Sequence, residues 1–498
     1  MQYSASRCLL SSGLALLLSA GAAQADTTTA LLSPKPALAH QTINESTQAE
    51  LPEVVLQSLK ENRVPAENIS IYVRDLYADQ AMLAHNVDLI RAPASTIKLV
   101  TTYAALKQLG PNYAWRTEAW LRGTLQDGVL DGDLILKGYG DPFLVYERFW
   151  KFMHELREQG LQQINGDIII DNQYFDIPKH DPGAFDGQSY NVYNAGPSPL
   201  MFNFQASRIL IKASADEAAT QPDVMLEPAS SQAIDNRVTL VQGRCKRMHS
   251  RPKLSRDADG RLVVEGSFSK RCEPQSIMRV VSEPDQHVFD AFNEFWADLG
   301  GSLGGGLKIG RVTETDELFH TYASPTLAEQ IRLINKWSNN VMTRQLMLTV
   351  GANRFGAPAT LEKGRKAVLE ILQEQGIDTQ GIVIDNGSGL SRNTRISARQ
   401  MAQLLEAAYR DAFMPEFMSS LSVPGLDGTL VSRFRKEDMA GRSHLKTGTL
   451  NYVTAISGYM LNRQGRRLVI VIQQNGPRAS AAVGAKIQDE ILRWAFEQ

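Results

Sequence analysis

Cysteine is nearly absent from this chain: Cys8, Cys245 and Cys272 are the three in 498 residues. The eight histidines form no ligand-spaced cluster, with the cysteines or among themselves, so no metal site is expected and no cofactor is implied. Net charge is small as well. With 52 Lys+Arg against 54 Asp+Glu the formal charge is −2, which removes the electrostatic case for nucleic acid or strong membrane binding. Long apolar runs are missing beyond the first 25 residues, so no transmembrane anchor is expected. The last helical stretch ends in Trp494 and Phe496, but its spacing suits packing on a sheet.

The first residues have a different texture. Arg7 precedes an apolar run from Cys8 to Ala22, and Ala23-Gln24-Ala25 has the small-x-small form of a signal-peptidase site. Residues 1–25 therefore read as a signal peptide cleaved near Ala25, with the mature protein exported to the periplasm. Cys8 lies too early to be a lipidated residue. Cleavage removes one positive charge, taking the net from −2 to −3, and leaves about 470 residues, enough for two or three domains. In an oxidising compartment Cys245 and Cys272 most simply form one disulfide, two free buried thiols being the alternative.

Alternation at Ile69, Ile71 and Val73, a polar turn, then Ala81-Met82-Leu83 predicts a β-hairpin near the N-terminus. Tyr452–Leu461 and Leu468–Gln473, joined by a turn at Asn462–Gly465, predict a second hairpin near the C-terminus. A closing helix follows, carrying Val483, Ile487 and Ile491 on one face. These ends predict an α+β domain whose sheet is assembled from both termini. Between them, Leu130–Leu136 and Ile164–Ile170 resemble each other, each a Gly-Asp turn feeding an apolar strand. Two copies point to a β-rich module but are too few for a solenoid. The Gly-rich stretch 300–306 reads as a connector, since it lacks the strand and helix context of a dinucleotide site. Arg244, Lys246, Arg247, Arg251, Lys253, Arg256, Lys270 and Arg271 form a basic cluster, read as a solvated loop surface.

The chemistry concentrates in three short motifs. Ser95-Thr96-Ile97-Lys98 places a hydroxyl and an amine three residues apart, within reach on one helix face. A neutral amine there can take the serine proton and generate a nucleophile. Three further Ser-x-x-Lys copies start at Ser250, Ser267 and Ser443, so the pattern alone selects nothing. Context does. Pro93 and Gly110 delimit a helix of about four turns that is apolar nearly all round up to Lys107, and therefore buried. Its N-terminal dipole and its burial both lower the pKa of Lys98. Trp337-Ser338-Asn339-Asn340 lies where one apolar-periodic helix gives way to another. There Ser338 can relay a proton to a leaving amine and Asn340 can hold lysine and substrate. Lys446-Thr447-Gly448-Thr449 lies on a predicted edge strand, with Gly448 permitting close backbone approach. Lys446, Thr447 and Thr449 suit a substrate carboxylate, and the N–H groups of Thr449 and Ser95 suit an oxyanion hole.

Ser-x-x-Lys, Ser-x-Asn and Lys-Thr-Gly in this order resemble the penicillin-recognising serine acyltransferases. The separation of 240 positions from Lys98 to Ser338 resembles the insertion of the class C low-molecular-mass penicillin-binding proteins, D-alanyl-D-alanine carboxypeptidases and endopeptidases of serine peptidase family S13. Gly138–Pro142, Asp385–Arg392 and Pro424–Thr429 also resemble that family. The resemblance implies a transpeptidase-like catalytic domain from residues 26–115 and 315–498. An inserted domain from 116–200 and 283–314 and an innermost one from 201–282, both β-rich, would be nested within it. It implies peptidoglycan stem peptides and cross-links as substrates, β-lactams as covalent inhibitors and no cofactor; the oligomeric state stays open, a homodimer included. It further implies that Asp141, Tyr146 and Arg392 receive the free ends of a diaminopimelate side chain. A β-lactamase is disfavoured, because no Glu-x-x-Leu-Asn motif is present and the second motif begins with Ser rather than Tyr. A penicillin-binding sensor without hydrolysis is the remaining alternative.

Overall fold

The computed structural model describes residues 50–229, 233–245 and 252–498. The predicted signal segment lies outside the described residues, as do Ser250 and the basic residues Lys246, Arg247 and Arg251. Among the described residues no helix is long and apolar enough to cross a membrane.

The two ends of the chain build one antiparallel sheet, in the order Ser443–Leu450, Val453–Leu461, Arg467–Asn475, Ile69–Asp75, Leu83–His85. Ile71 faces Ile472 and Val73 faces Ile470 across the junction of the termini. Side chains alternate between faces along each strand. Ile69, Ile71, Ile470 and Ile472 share a core with the helices Glu53–Glu61 and Ala481–Glu497. Tyr72, Tyr459, Val469 and Val471 join the opposite core, where six helices pack. At the centre of that layer runs Lys98–Leu109, every residue buried from Lys98 to Leu106. A helix apolar all round has no solvent face to offer, so it is enclosed.

A second, seven-stranded sheet contains Ala114–Gln126, Val129–Gly138 and Glu317–Thr326. Here the two similar segments lie side by side in parallel register, Leu130 against Ile164 and Leu134 against Ile168. The Gly-rich stretch is not a connector but a third rung: Leu303 pairs with Ile164 and Leu307 with Ile168. Asp133 Oδ1 accepts the Asp167 N–H at 2.7 Å, and Asp167 Oδ1 accepts the Gly306 N–H at 2.7 Å. Close stacking requires glycine: a Cβ on Gly305 would lie 2.4 Å from the Gly166 carbonyl oxygen and from Asp167 Oδ1. The third rung carries glycine where the first two carry aspartate, which hid the repeat in the sequence.

The described residues within 207–279 form two three-stranded sheets around Ile209, Ile211, Val238, Leu262 and Phe268, with Cys245 and Cys272 joined in a disulfide. The described members of the basic cluster are mostly exposed around these sheets. The whole is α+β, an antiparallel sheet with helices on both faces and additional sheet domains.

Candidate active site

Ser95 does not sit in the first turn of an α-helix. Ala94–Ile97 is a 3₁₀ turn, and the α-helix begins at Lys98. In a 3₁₀ turn residues three apart eclipse, which sets Ser95 over Lys98 more directly than an α-turn would. Ala94 enters this turn with φ of 47°, and Thr96 Oγ1 donates to the Pro93 carbonyl at 2.8 Å. The other described Ser-x-x-Lys copies lie in strands or their ends, where residues three apart point to opposite faces.

Lys98 Nζ lies 3.1 Å from Ser95 Oγ, 2.7 Å from Asn340 Oδ1 and 2.5 Å from the Ser388 carbonyl oxygen. Its pKa is pushed well down by burial first, then by the charges of Lys446 and Arg344. A neutral amine has two hydrogens and one lone pair. Asn340 Oδ1 and the Ser388 carbonyl can only accept, so they take both hydrogens. The lone pair is left facing the Ser95 hydroxyl.

The helix Leu327–Trp337 ends at Ser338, which adopts left-handed φ, ψ of 58°, 38°. Asn339 then caps the next helix, its side chain accepting from the Met342 N–H at 3.0 Å. The two asparagines thus divide the work: Asn339 starts the helix, and Asn340 accepts from Lys98 while donating to the Tyr193 carbonyl at 3.1 Å. Lys446 Nζ donates to Ser338 Oγ at 2.9 Å and to the Thr447 carbonyl at 2.8 Å. Burial lowers its pKa to about 7. The strand Ser443–Leu450 is the sheet edge, and Gly448 presses its backbone against the nucleophile turn. Thr447 Oγ1 lies 2.9 Å from Thr429 Oγ1, and Thr449 is exposed.

Ser95, Lys98, Ser338, Asn340, Lys446 and Thr447 are therefore linked by contacts from three elements far apart in sequence. Asp141 and Tyr146 make none of these contacts. Asp141 is buried beside the helix 340–355, where Gln345 Nε2 donates to its carbonyl, and burial raises its carboxyl pKa to about 7. Tyr146 packs against Phe202 and Phe295 with its hydroxyl enclosed. Arg392 is exposed, its guanidinium 4.7 Å from the Phe185 ring and donating to the Asn451 carbonyl at 3.0 Å. Its surroundings thus come from the 185 and 451 regions, not from 141–146. Reading the sequence missed the Ser388 and Tyr193 carbonyls and Arg344. Backbone acceptors carry no side-chain signal, and Arg344 is one cation among 52 Lys+Arg. Among the described residues no group of three His, Cys, Asp or Glu is placed to hold a metal.

Comparison with known proteins bears on the family and the fold. A model of the D-Ala-D-Ala carboxypeptidase 3 (S13) family matches residues 51–498. The D-alanyl-D-alanine carboxypeptidase DacB of Haemophilus influenzae is 25% identical over 415 residues, 82% of this chain and 85% of that protein. A D-alanyl-D-alanine carboxypeptidase of Actinomadura sp. is 29% identical over 423 residues, 80% of this chain and 76% of that protein. The crystal structure of penicillin binding protein 4 (dacB) from Haemophilus influenzae shares the fold at a TM-score of 0.75 and 22% identity. It covers 89% of this chain and 99% of that one.

Proposed function

The chain belongs to the D-Ala-D-Ala carboxypeptidase 3 (S13) family, and on that premise we propose that it cleaves D-Ala-D-Ala peptide bonds of peptidoglycan through an acyl-enzyme on Ser95. The observation that carries this reading is the Lys98 amine, its hydrogens committed to Asn340 and Ser388 and its lone pair to Ser95. Lys98 takes the Ser95 proton as Oγ attacks the carbonyl of the penultimate D-alanine. The oxyanion forms between the N–H groups of Ser95 and Thr449. Ser338, bonded to Lys446, relays to the departing amine the proton that Lys98 took from Ser95, so the C–N bond breaks and Lys98 is neutral again. Water then attacks the ester and gives a proton to Lys98, which returns it to Ser95 Oγ as the ester bond breaks and the free acid leaves. Lys446, Thr447 and Thr449 hold the terminal carboxylate. Arg392 offers a fork to the carboxylate of a diaminopimelate side chain. Asp141, which is buried, and Tyr146, whose hydroxyl is enclosed, are assigned to supporting the inserted sheet.

Carboxypeptidase and endopeptidase action use the same acyl-enzyme with different leaving groups, and both are proposed. β-Lactams acylate the same serine and leave slowly, because no carboxylate stands among the named partners of the site to activate water. The small-x-small site near Ala25 supports work in the periplasm.

The test is incubation of the protein with a diaminopimelate pentapeptide and with a cross-linked dimer. Released D-alanine and cleaved cross-links, both lost in Ser95→Ala, are expected. Penicillin binding at Ser95 without either product would make the protein a sensor. Rapid turnover of benzylpenicillin would make it a β-lactamase.

A further inference from the structure

Arg344 lies one helical turn from Asn340, on the same face of the helix 340–355. It is buried at 6% exposure, yet among the described residues it has no ion-pair partner. Asp385, the acidic group that acts on it, is itself bonded to Arg365. A guanidinium enclosed without a bonded carboxylate is expensive, which makes the groups it does bond informative.

Its hydrogen bonds show who gains. Arg344 Nη1 donates to the Ala195 carbonyl at 2.5 Å and to the Asn194 carbonyl at 3.3 Å. The next residue back in the chain, Tyr193, gives the carbonyl that accepts from Asn340 Nδ2 at 3.1 Å. Asn340 Oδ1 then accepts from Lys98 at 2.7 Å. A continuous path of hydrogen bonds and one peptide segment thus runs from Arg344 to the general base, and Arg344 Nε is left buried without a partner.

We propose that Arg344 is a positioning residue for the Lys98 base: it clamps the Tyr193–Ala195 segment so that Asn340 is held, and its uncompensated charge disfavours a cation at Lys98. The proposal rests on the assignment of Lys98 as base. Other charges around the pair are accounted for. Lys446 faces Lys98 from the edge strand and acts in the same direction as Arg344. His180 Nε2 lies 3.4 Å from Arg344 and is itself kept neutral by burial, with Asp181 acting on it. Asp186 is engaged by Tyr193 and Asn194 and feels Arg392. These groups leave the charge of Arg344 without a bonded carboxylate.

The experiment is the pH profile of the second-order acylation constant with a fluorescent penicillin, for wild type, R344M and R344Q. Both substitutions remove the charge. The Gln amide can still donate to the Ala195 carbonyl, so R344Q decides the matter if R344M fails to fold. Losing a like charge raises the pKa of Lys98, and the acid limb is expected to move up by roughly 0.5–1 pH unit in both variants. The plateau should fall less in R344Q than in R344M. A lower plateau with the limb at its wild-type position would overturn the proposal. Failure of the underlying assignment has a different signature: wild type that does not label, or Ser95→Ala that still does.

Discussion

Gly448→Ala is expected to slow acylation of Ser95 by a factor of about 10 to 100 while leaving the protein folded. A Cβ on Gly448 would lie 2.8 Å from the Pro93 carbonyl oxygen, 2.8 Å from Ser95 N and 3.0 Å from Ala94 Cβ. Ordinary contact begins at 3.4 Å, so the relief needed is 3.4 less 2.8, about 0.6 Å. The nucleophile turn cannot supply it. Ala94 already holds φ of 47°, and behind it Gly389 is so close that a Cβ there would lie 2.0 Å from the Ala94 carbonyl oxygen. The strand Ser443–Leu450 can, because around Gly448 it is paired on one side, with Val453–Leu461, and its other backbone bridge among the described residues, Leu445 to Ser422, lies three residues earlier. Its retreat moves the Thr449 N–H and Lys446 away from Ser95. A 1 Å misplacement costs about 100-fold in rate, so 0.6 Å sets the range given. The cost in stability should be about 1–3 kcal/mol, as for other overpacked sites. Stopped-flow acylation with a fluorescent penicillin, alongside denaturant unfolding, measures both. A folded variant that acylates within twofold of wild type would refute the contact argument.

Three further outcomes follow from the same structure. Asn340→Asp puts a carboxylate where an amide oxygen now lies 2.7 Å from Lys98 Nζ, which favours the ammonium; the acid limb of acylation should rise in pH, and an unmoved limb would contradict the role of Lys98. Lys446, with its pKa lowered to about 7, loses its cation as pH rises through that value, so kcat/KM for a peptide with a free terminal carboxylate should fall on the alkaline side with a limb near pH 7. The C-terminally amidated peptide should lack that limb. Gly305→Ala inserts a Cβ 2.4 Å from the Gly166 carbonyl oxygen and Asp167 Oδ1 and should cost about 1–3 kcal/mol by denaturant unfolding, whereas an unchanged midpoint would mean the third rung is loosely stacked.

Much of the site could be read before any fold was known, for a physical reason that differs between motifs. Ser95 and Lys98 are three residues apart, so local geometry brings them together whether the turn is α or 3₁₀. Lys446-Thr447-Gly448 declares itself through the glycine, which marks a close backbone approach. The carbonyls of Ser388 and Tyr193 were invisible, since every residue has one. Asp141 and Tyr146 were singled out by resemblance alone, and the fold buries Asp141 and the Tyr146 hydroxyl.

The sequence by itself determined the local devices. The alternating hairpins, the helix too apolar to face water and the spacing within each motif all follow from neighbours in the chain. It also determined the order of the three motifs, and with it the family. Tertiary structure decided how those devices meet. Only the fold brings the Ser388 carbonyl and Asn340 to the two hydrogens of Lys98, so that its lone pair is directed at Ser95. Only the fold encloses Arg344 with no bonded carboxylate among the described residues. It also stacks a glycine-rich stretch as a third rung on two aspartate-bearing ones. Periodicity reports which face of an element is buried, but burial among particular charges and carbonyls depends on partners hundreds of residues away.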